Sequence, residues 1–151
     1  MTYQLSKKSL SKLEGLDERL IKVVCRAIEY TDIDFGVVQG LRTEEEQKAL
    51  FKKGASKTMK SKHLEGNAVD LMAYIGGRGC WELDMYDNIA EAIKKAAIEE
   101  EVAIRWGGAW TVLDIRLWNQ SMAKANMSYV KTRLHEGKRP FIDAPHFELM
   151  D

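Results

Sequence analysis

The segment S-K-H-L-E-G-N-A-V-D, residues 61–70, joins a histidine to a strand-like run that carries a carboxylate. His63 is one of only three histidines in the chain, and Asp70 lies inside the otherwise apolar run 68–72. On a helix the two residues would lie about 10 Å apart along the axis, too far to share one ion. Gly66 favours a turn instead, which would bring a strand at 68–72 back towards His63. The two polar side chains could then converge.

Composition indicates an ordinary globular protein. The chain has 151 residues, 45% hydrophobic and 30% charged, which fits one domain with a single core. Its 23 basic and 23 acidic residues cancel, so no global field would hold it on nucleic acid. Cys25 and Cys80 form neither a disulfide framework nor a zinc pattern, and we expect them to be free and partly buried.

Targeting signals are not evident in the sequence. The N-terminus lacks the apolar core of a signal peptide. No apolar run approaches the roughly 18 residues that are needed to span a bilayer. We therefore expect a protein that stays in the cytoplasm of the cell that makes it, without stable membrane insertion, unless another agent releases it.

Hydrophobic periodicity predicts an α+β fold: a small antiparallel sheet that carries the functional site, flanked by helices. Helices are predicted at 17–30, from a capping box at Thr43 to about Phe51, at 84–101 and at 114–136. Strands are predicted at 35–38, 68–73 and 102–106 and after Pro145. Residues 52–62 and 75–79 have the composition of loops.

A second group of polar residues lies in the closing segment D-A-P-H-F-E-L, residues 143–149. In a strand His146 and Glu148 would share one face. Two histidines and an aspartate with one water form an open tetrahedral site, and these ligands suit zinc better than calcium or magnesium. Asp143, three residues before His146, is well placed in sequence to take a proton from the water.

Simpler interpretations apply to the same residues. A single histidine beside a strand is most often a core or surface residue, and an aspartate at a strand end is usually a turn residue. The five lysines near the first segment are typical of a solvated loop, although they could also steer an anionic substrate. They are Lys52, Lys53, Lys57, Lys60 and Lys62.

Four segments resemble the motifs of one enzyme family. S-K-H-L-E-G-N-A-V-D resembles the Ser-x-His-x-x-Gly-x-Ala-x-Asp signature of zinc peptidases that cut peptidoglycan stem peptides. Q-G-L-R-T, R-W-G-G-A-W and D-A-P-H-F-E-L resemble three further motifs of that family, in its order, between Gln39 and Leu149. The family joins D-Ala-D-Ala carboxypeptidases, vancomycin-resistance D,D-peptidases and the L-alanyl-D-glutamate endopeptidases of phage lysins.

The resemblance implies a role for five residues. His63, Asp70 and His146 would bind Zn²⁺ as the cofactor. Asp143 would be the general base, where many relatives have a glutamate that is one methylene longer. Arg42 would bind the substrate or the oxyanion that develops on the attacked carbonyl.

Three further residues receive weaker assignments from the resemblance. Ser61 would support the site through hydrogen bonds, at the substrate-binding end of the cleft. Trp106 is a candidate substrate contact, although packing beneath the cleft is the preferred role for it and for Trp110. The segment 114–140 is longer than in compact relatives, and it could be a lid, a wall contact or an embellishment.

Three functions remain open from the sequence. The first is a phage-type endolysin that cleaves the L-Ala–D-Glu bond of the stem peptide, held in the host cytoplasm until holins release it to the periplasm. We expect it to comprise residues 1–151 as one catalytic domain without a separate wall-binding domain, and to be monomeric. The second is a D,D-dipeptidase or carboxypeptidase that acts on D-Ala-D-Ala. The third is a non-enzymatic zinc-stabilised binding module, which has no need for the base Asp143 or for Arg42.

Overall fold

An antiparallel sheet organises the computed structural model, which describes residues 2–56 and 61–150. The strands of this described part are β1 (Asp34–Gln39), β2 (Ala68–Ile75), β3 (Arg78–Cys80), β4 (Ile104–Trp106) and β5 (His146–Leu149). They pair in the order β1-β2-β5-β4, and β3 pairs with the end of β2. The central strand β2 therefore borders both β1 and β5, and its Asp70 pairs with Gln39 on one side and His146 on the other.

Helices cover the sheet, and two of them begin at the side-chain caps that the sequence predicts. The α-helices are α1 (Lys7–Lys12), α2 (Glu18–Tyr30), α3 (Glu44–Lys52), α4 (Leu83–Glu100) and α5 (Met122–His135). Asp17 accepts a hydrogen bond from the backbone of Arg19 at the start of α2. Thr43 and Glu46 form the predicted capping box of α3. Both helix starts therefore follow the sequence signals.

Side chains alternate between the two faces of the sheet along β2, and this alternation separates the core from the site. Val69, Leu71 and Ala73 are fully buried in the main apolar cluster together with the inward faces of α2 and α4. Asp70 and Met72, which point to the other face, are only partly buried. The predicted α+β class, with a small antiparallel sheet flanked by helices, is confirmed, and one face of the sheet remains for polar chemistry.

The predicted helix at 114–136 is wrong in its first third. A short 3-10 helix covers Ile115–Leu117, and α5 begins only at Met122, with Ser121 as its cap. Contacts from α4 hold the break: the Glu91 carboxylate accepts from the backbone N–H of Met122 at 2.9 Å, and the Lys94 ammonium donates to two carbonyls of the intervening turn. Tertiary contacts thus override the helical periodicity of this segment.

Two short elements were not predicted. Residues 75–79, predicted as a loop, form a tight hairpin that turns at Gly76 and Gly77, both at positive φ, and enters β3. The helix α1 begins at Ser6, whose hydroxyl accepts from the backbone of Ser9. Cys25 and Cys80 are free and partly buried, as predicted.

Candidate active site

The turn between His63 and β2 has the shape that the sequence predicts. Residues Lys62–Glu65 form one turn of 3-10 helix, which Ser61 caps by accepting from the backbone of His63. Gly66 ends this turn at φ 73°, and a Cβ there would lie 2.7 Å from the carbonyl oxygen of Gly15. The position therefore requires glycine for both its backbone conformation and its close approach.

Three polar side chains converge where this turn meets the sheet. The Oδ1 atom of Asp70 lies 3.3 Å from Nε2 of His63 and 3.1 Å from Nδ1 of His146. One ligand atom from each of the three residues lies within 4.8 Å of the others. Both imidazoles are buried, whereas the carboxylate keeps some exposure. This group can hold a metal ion, and its members are those that the sequence brought forward.

Each imidazole is oriented by a partner on its outer nitrogen. Nδ1 of His63 lies 2.9 Å from the carbonyl oxygen of Gly40. Nε2 of His146 lies 2.8 Å from Oε1 of Glu148. Each ring therefore turns its other nitrogen towards Asp70, and this division between an inner ligand atom and an outer hydrogen bond is typical of metal-binding histidines. The donor set fits a resident metal ion.

Charges at the cluster are strongly coupled. Burial disfavours the charged form of Asp70, but hydrogen bonds from His146 and His63 outweigh it and lower the carboxyl pKa well below its usual range. Burial also opposes protonation of His146, yet its bonds to Asp70 and Glu148 raise its pKa to about 9. The pocket thus favours a cation between its carboxylates, a role that a proton or a metal ion can fill.

Asp143 lies beside the cluster on the turn that leads into β5. The N–H of Asp143 donates to the carbonyl of Gly107 at 2.9 Å, and the N–H of Gly107 donates to the carbonyl of His146 at 2.8 Å. Burial and the nearby charge of Asp70 raise the pKa of Asp143, against the opposing charges of His146, His63 and Arg42. A partly buried carboxylate with a raised pKa in a cleft is a candidate general base.

Arg42 lies in a buried network next to the histidine turn. Its backbone N–H donates to the carbonyl of His63 at 2.9 Å, and its Nη1 donates to Gln47 at 2.6 Å and to Ser61 at 3.4 Å. Nε of Arg42 is buried and has no hydrogen-bond partner within the described ranges. The guanidinium is thus anchored to α3 and to the residue that caps the histidine turn, at the wall of the cleft. The motif Q-G-L-R-T that contains Arg42 does not indicate that Gln47 is its hydrogen-bond partner.

The two tryptophans of the R-W-G-G-A-W segment have different surroundings. Trp106 is fully buried, stacks on Phe147 and donates its indole N–H to the carbonyl of Ala144 at 2.7 Å. The structure therefore places Trp106 in the core, the preferred of its two predicted roles, and not in the cleft. Trp110 lines the cleft, with its ring 5.4 Å from that of His146.

One cleft of about 1000 Å³ is lined by Trp110, Arg42, Ser61, Asp143 and the three candidate metal ligands. The segment that the sequence left without a role provides part of its wall, because α5 and the residues after it contribute Tyr129, Arg133, Lys138 and Phe141. The Tyr129 hydroxyl donates to the carbonyl of Phe141, whose N–H donates back to it, each at 3.0 Å. Helix α5 is thereby joined to the segment that leads to Asp143.

The lysines of the first segment separate into two groups. Lys57 and Lys60 lie outside the described residues. Lys52 and Lys53 are exposed, whereas Lys62 lines the cleft with its ammonium 3.5 Å from Oε2 of Glu148. Neither Lys62 nor Glu148 has a fixed role from sequence: Lys62 is one of five possible steering charges, and Glu148 is the substitute base if the assignment of Asp143 is wrong. The shared strand face of His146 and Glu148 is a signal that Glu148 lies beside the site. None of the described helices is long and apolar enough to cross a membrane.

Comparisons with known proteins agree on one family. The family model described as phage L-alanyl-D-glutamate peptidase matches residues 1–150. A relative from Escherichia phage T5, named L-alanyl-D-glutamate peptidase, is 32% identical over 114 residues, covering 73% of this chain and 83% of the relative. A relative of the same name from Listeria phage A118 is 27% identical, and the match spans 40% of its length.

A solved structure extends the likeness to the fold. The crystal structure of Serratia marcescens L-Ala D-Glu endopeptidase ChiX is similar with a TM-score of 0.73 and 30% sequence identity. The match covers 98% of this chain and 90% of that chain. The likeness thus extends over almost the whole of this chain.

Proposed function

Since the chain belongs to the phage L-alanyl-D-glutamate peptidase family, we propose that its cleft hydrolyses the L-Ala–D-Glu bond of peptidoglycan stem peptides. The observation that carries the proposal is the convergence of His63, Asp70 and His146 within one cleft, beside Asp143 and Arg42. Both curated relatives and the solved structure are named for action at this bond. A cell-wall peptidase is therefore the function that family and geometry support together.

Zinc is the proposed metal, held by His63, Asp70 and His146. Two imidazoles and one carboxylate are a ligand set of catalytic zinc sites with an open position. Calcium and magnesium prefer oxygen ligands alone, and copper(I) prefers the sulfur of cysteine or methionine. When bound, zinc would polarise the scissile carbonyl and lower the pKa of a water molecule to about 7.

The remaining chemistry belongs to the side chains of the cleft. Asp143 accepts the proton of the attacking water and passes it to the nitrogen of the leaving D-Glu. Burial, the largest cause of its raised pKa, supports this role, because it favours the protonated form of the carboxyl group. Arg42 stabilises the negative charge that develops on the carbonyl oxygen, or binds a substrate carboxylate, through the donors that Gln47 and Ser61 leave available. Ser61 acts through the hydrogen bonds that hold Arg42 and His63.

The phage family also supports a place of action. The chain would degrade the wall of the host cell at lysis, after release from the host cytoplasm.

The positively charged side chains of the cleft suit peptidoglycan stem peptides as the substrate, because these peptides carry several free carboxylates. These side chains include Arg105, Arg133 and Lys138.

Digestion of purified sacculi tests the bond. Mass spectrometry of the products should show new free amino groups on D-Glu and free carboxyl groups on L-Ala, together with a fall in turbidity. Release of D-Ala with intact L-Ala–D-Glu bonds would assign the cleft to D,D-peptidase chemistry. Binding to sacculi without any product would favour a non-enzymatic module.

A further inference from the structure

The buried carboxylate of Glu148 has no part in the chemistry described above. It lies on β5 two residues after His146, so both side chains project from the same face of the sheet. Its side chain is 9% exposed. Burying a carboxylate is unfavourable unless other groups compensate for its charge, so the contacts of Glu148 indicate what it does.

Among the residues that the structure describes, two groups contact this carboxylate, one at each oxygen. Oε1 lies 2.8 Å from Nε2 of His146, and Oε2 lies 3.5 Å from the Lys62 ammonium. Lys62 also donates to the carbonyl of Leu149, which anchors the ammonium to the same strand. Lys62 adjoins His63 in the chain, so this ion pair connects the two histidine-bearing segments.

A purely stabilising role explains this arrangement poorly. The Lys62 side chain is 33% exposed, and ion pairs with a partner this exposed contribute little to stability, because solvent screens the attraction. The hydrogen bond has a direct consequence for the ring, however. In the neutral ring that a metal ion requires, a proton on Nε2 that is held by Glu148 leaves Nδ1 as the unprotonated nitrogen, and Nδ1 lies 3.1 Å from Oδ1 of Asp70.

We propose that Glu148, held by Lys62, is a positioning residue that fixes the tautomer and orientation of His146 so that Nδ1 is the metal ligand. This inference rests on the proposed metal site. His63 has a neutral backbone carbonyl, that of Gly40, as the corresponding partner. His146 is therefore the candidate ligand whose outer partner is a side chain, so a substitution can remove that partner without changing the backbone.

Zinc affinity, measured by competition with a chromophoric chelator, tests the proposal. Glu148→Ala should weaken zinc binding about 10–100-fold, the usual effect of removing such a partner from a metal-binding histidine. Glu148→Gln keeps an oxygen that can accept from Nε2–H, and should weaken binding by less. Lys62→Met should fall between Glu148→Gln and wild type. Glu45→Gln, at an exposed position of α3, is the matched control and should bind zinc as wild type does.

Two further readouts separate the proposal from its competitors. With saturating zinc, Glu148→Gln should recover most of its peptidase activity, whereas loss of a general base would persist at any zinc concentration. Nitrogen NMR of the His146 ring in the zinc-bound protein should show a protonated Nε2 that loses its hydrogen-bonded character in Glu148→Ala. If Glu148 were itself a ligand, Glu148→Gln would abolish binding as fully as Asp70→Asn.

The results also separate this proposal from the metal site on which it rests. Failure of the wild-type chain to bind zinc would refute the site. Zinc binding by wild type with unchanged affinity in Glu148→Ala would refute the role of Glu148 alone. A Glu148→Ala chain that is destabilised without zinc to the same degree that it loses affinity would show a structural role, and would also overturn the proposal.

Discussion

Gly107→Ala should disable the site without touching any of its polar side chains. A Cβ at position 107 would lie 2.2 Å from the carbonyl oxygen of Asp143 and 3.0 Å from Cβ of His146. Contacts between a Cβ and a backbone oxygen below 3.0 Å are essentially never seen, so β4 and the Asp143 turn must separate. The same separation stretches the two backbone hydrogen bonds that join Gly107 to Asp143 and His146.

The displacement acts directly on the reacting groups. It moves Asp143 and His146 together, relative to His63 and Asp70 on the neighbouring segment. A misplacement of about 1 Å in an active site can lower the rate by about 100-fold. We therefore expect kcat/KM on peptidoglycan to fall about 100-fold, with weaker zinc binding and a lower unfolding midpoint.

The assay compares turbidity loss of sacculi, zinc content and thermal unfolding in two variants. Gly76→Ala is the control: Gly76 has φ 58°, so alanine is strained there, but a Cβ would meet no atom within 4 Å. It should lose stability and keep its activity below the unfolding midpoint. Activity of Gly107→Ala within threefold of wild type would refute the claim that this close contact sets the geometry of the site.

Three other predictions concern single groups. Asp143→Asn keeps the shape of the side chain, and should lower kcat/KM by about 10²–10⁴-fold with unchanged zinc content. Asp32→Asn, at an exposed position, is its control and should keep full activity. A fully active Asp143→Asn would exclude Asp143 as the base. Trp106→Phe leaves the buried carbonyl of Ala144 without its donor, and should lower the free energy of unfolding in urea by about 1–3 kcal/mol; a variant as stable as wild type would contradict this. In chelated protein, the raised pKa of His146 stabilises the fold below pH 6.5, and this contribution should be lost as the pH rises through about 9. Urea unfolding that is no easier at pH 9 than at pH 6.5 would show that His146 is not held as a cation.

Local sequence signals were sufficient to predict the start of two helices and the turn that carries His63. Asp17 and Thr43 cap helices where their sequence context predicts it, because each satisfies backbone donors of its own first turn. Gly66 is needed at a positive φ, so the turn from His63 into β2 could be read from the sequence. The convergence with His146 required the resemblance, since no local pattern determines which strands pair.

The missed features depend on contacts between distant segments. Periodicity alone predicts a helix through 114–121, whereas Glu91 and Lys94 of α4 hold this segment in another conformation. Gln47 and Glu148 were not assigned because each acts through a second side chain, and such a role depends on three-dimensional distance. Sequence patterns indicate the ligands more readily than the groups that position them.

Zinc content measures most directly whether His63, Asp70 and His146 hold a catalytic metal ion. Elemental analysis should find one zinc per wild-type chain and a large loss of zinc in His63→Ala, with parallel loss of peptidase activity. His135, the third histidine of the chain, is exposed at the end of α5, and His135→Ala should keep both zinc and activity. Full zinc content in His63→Ala, or wild-type activity after complete removal of the metal, would contradict the account.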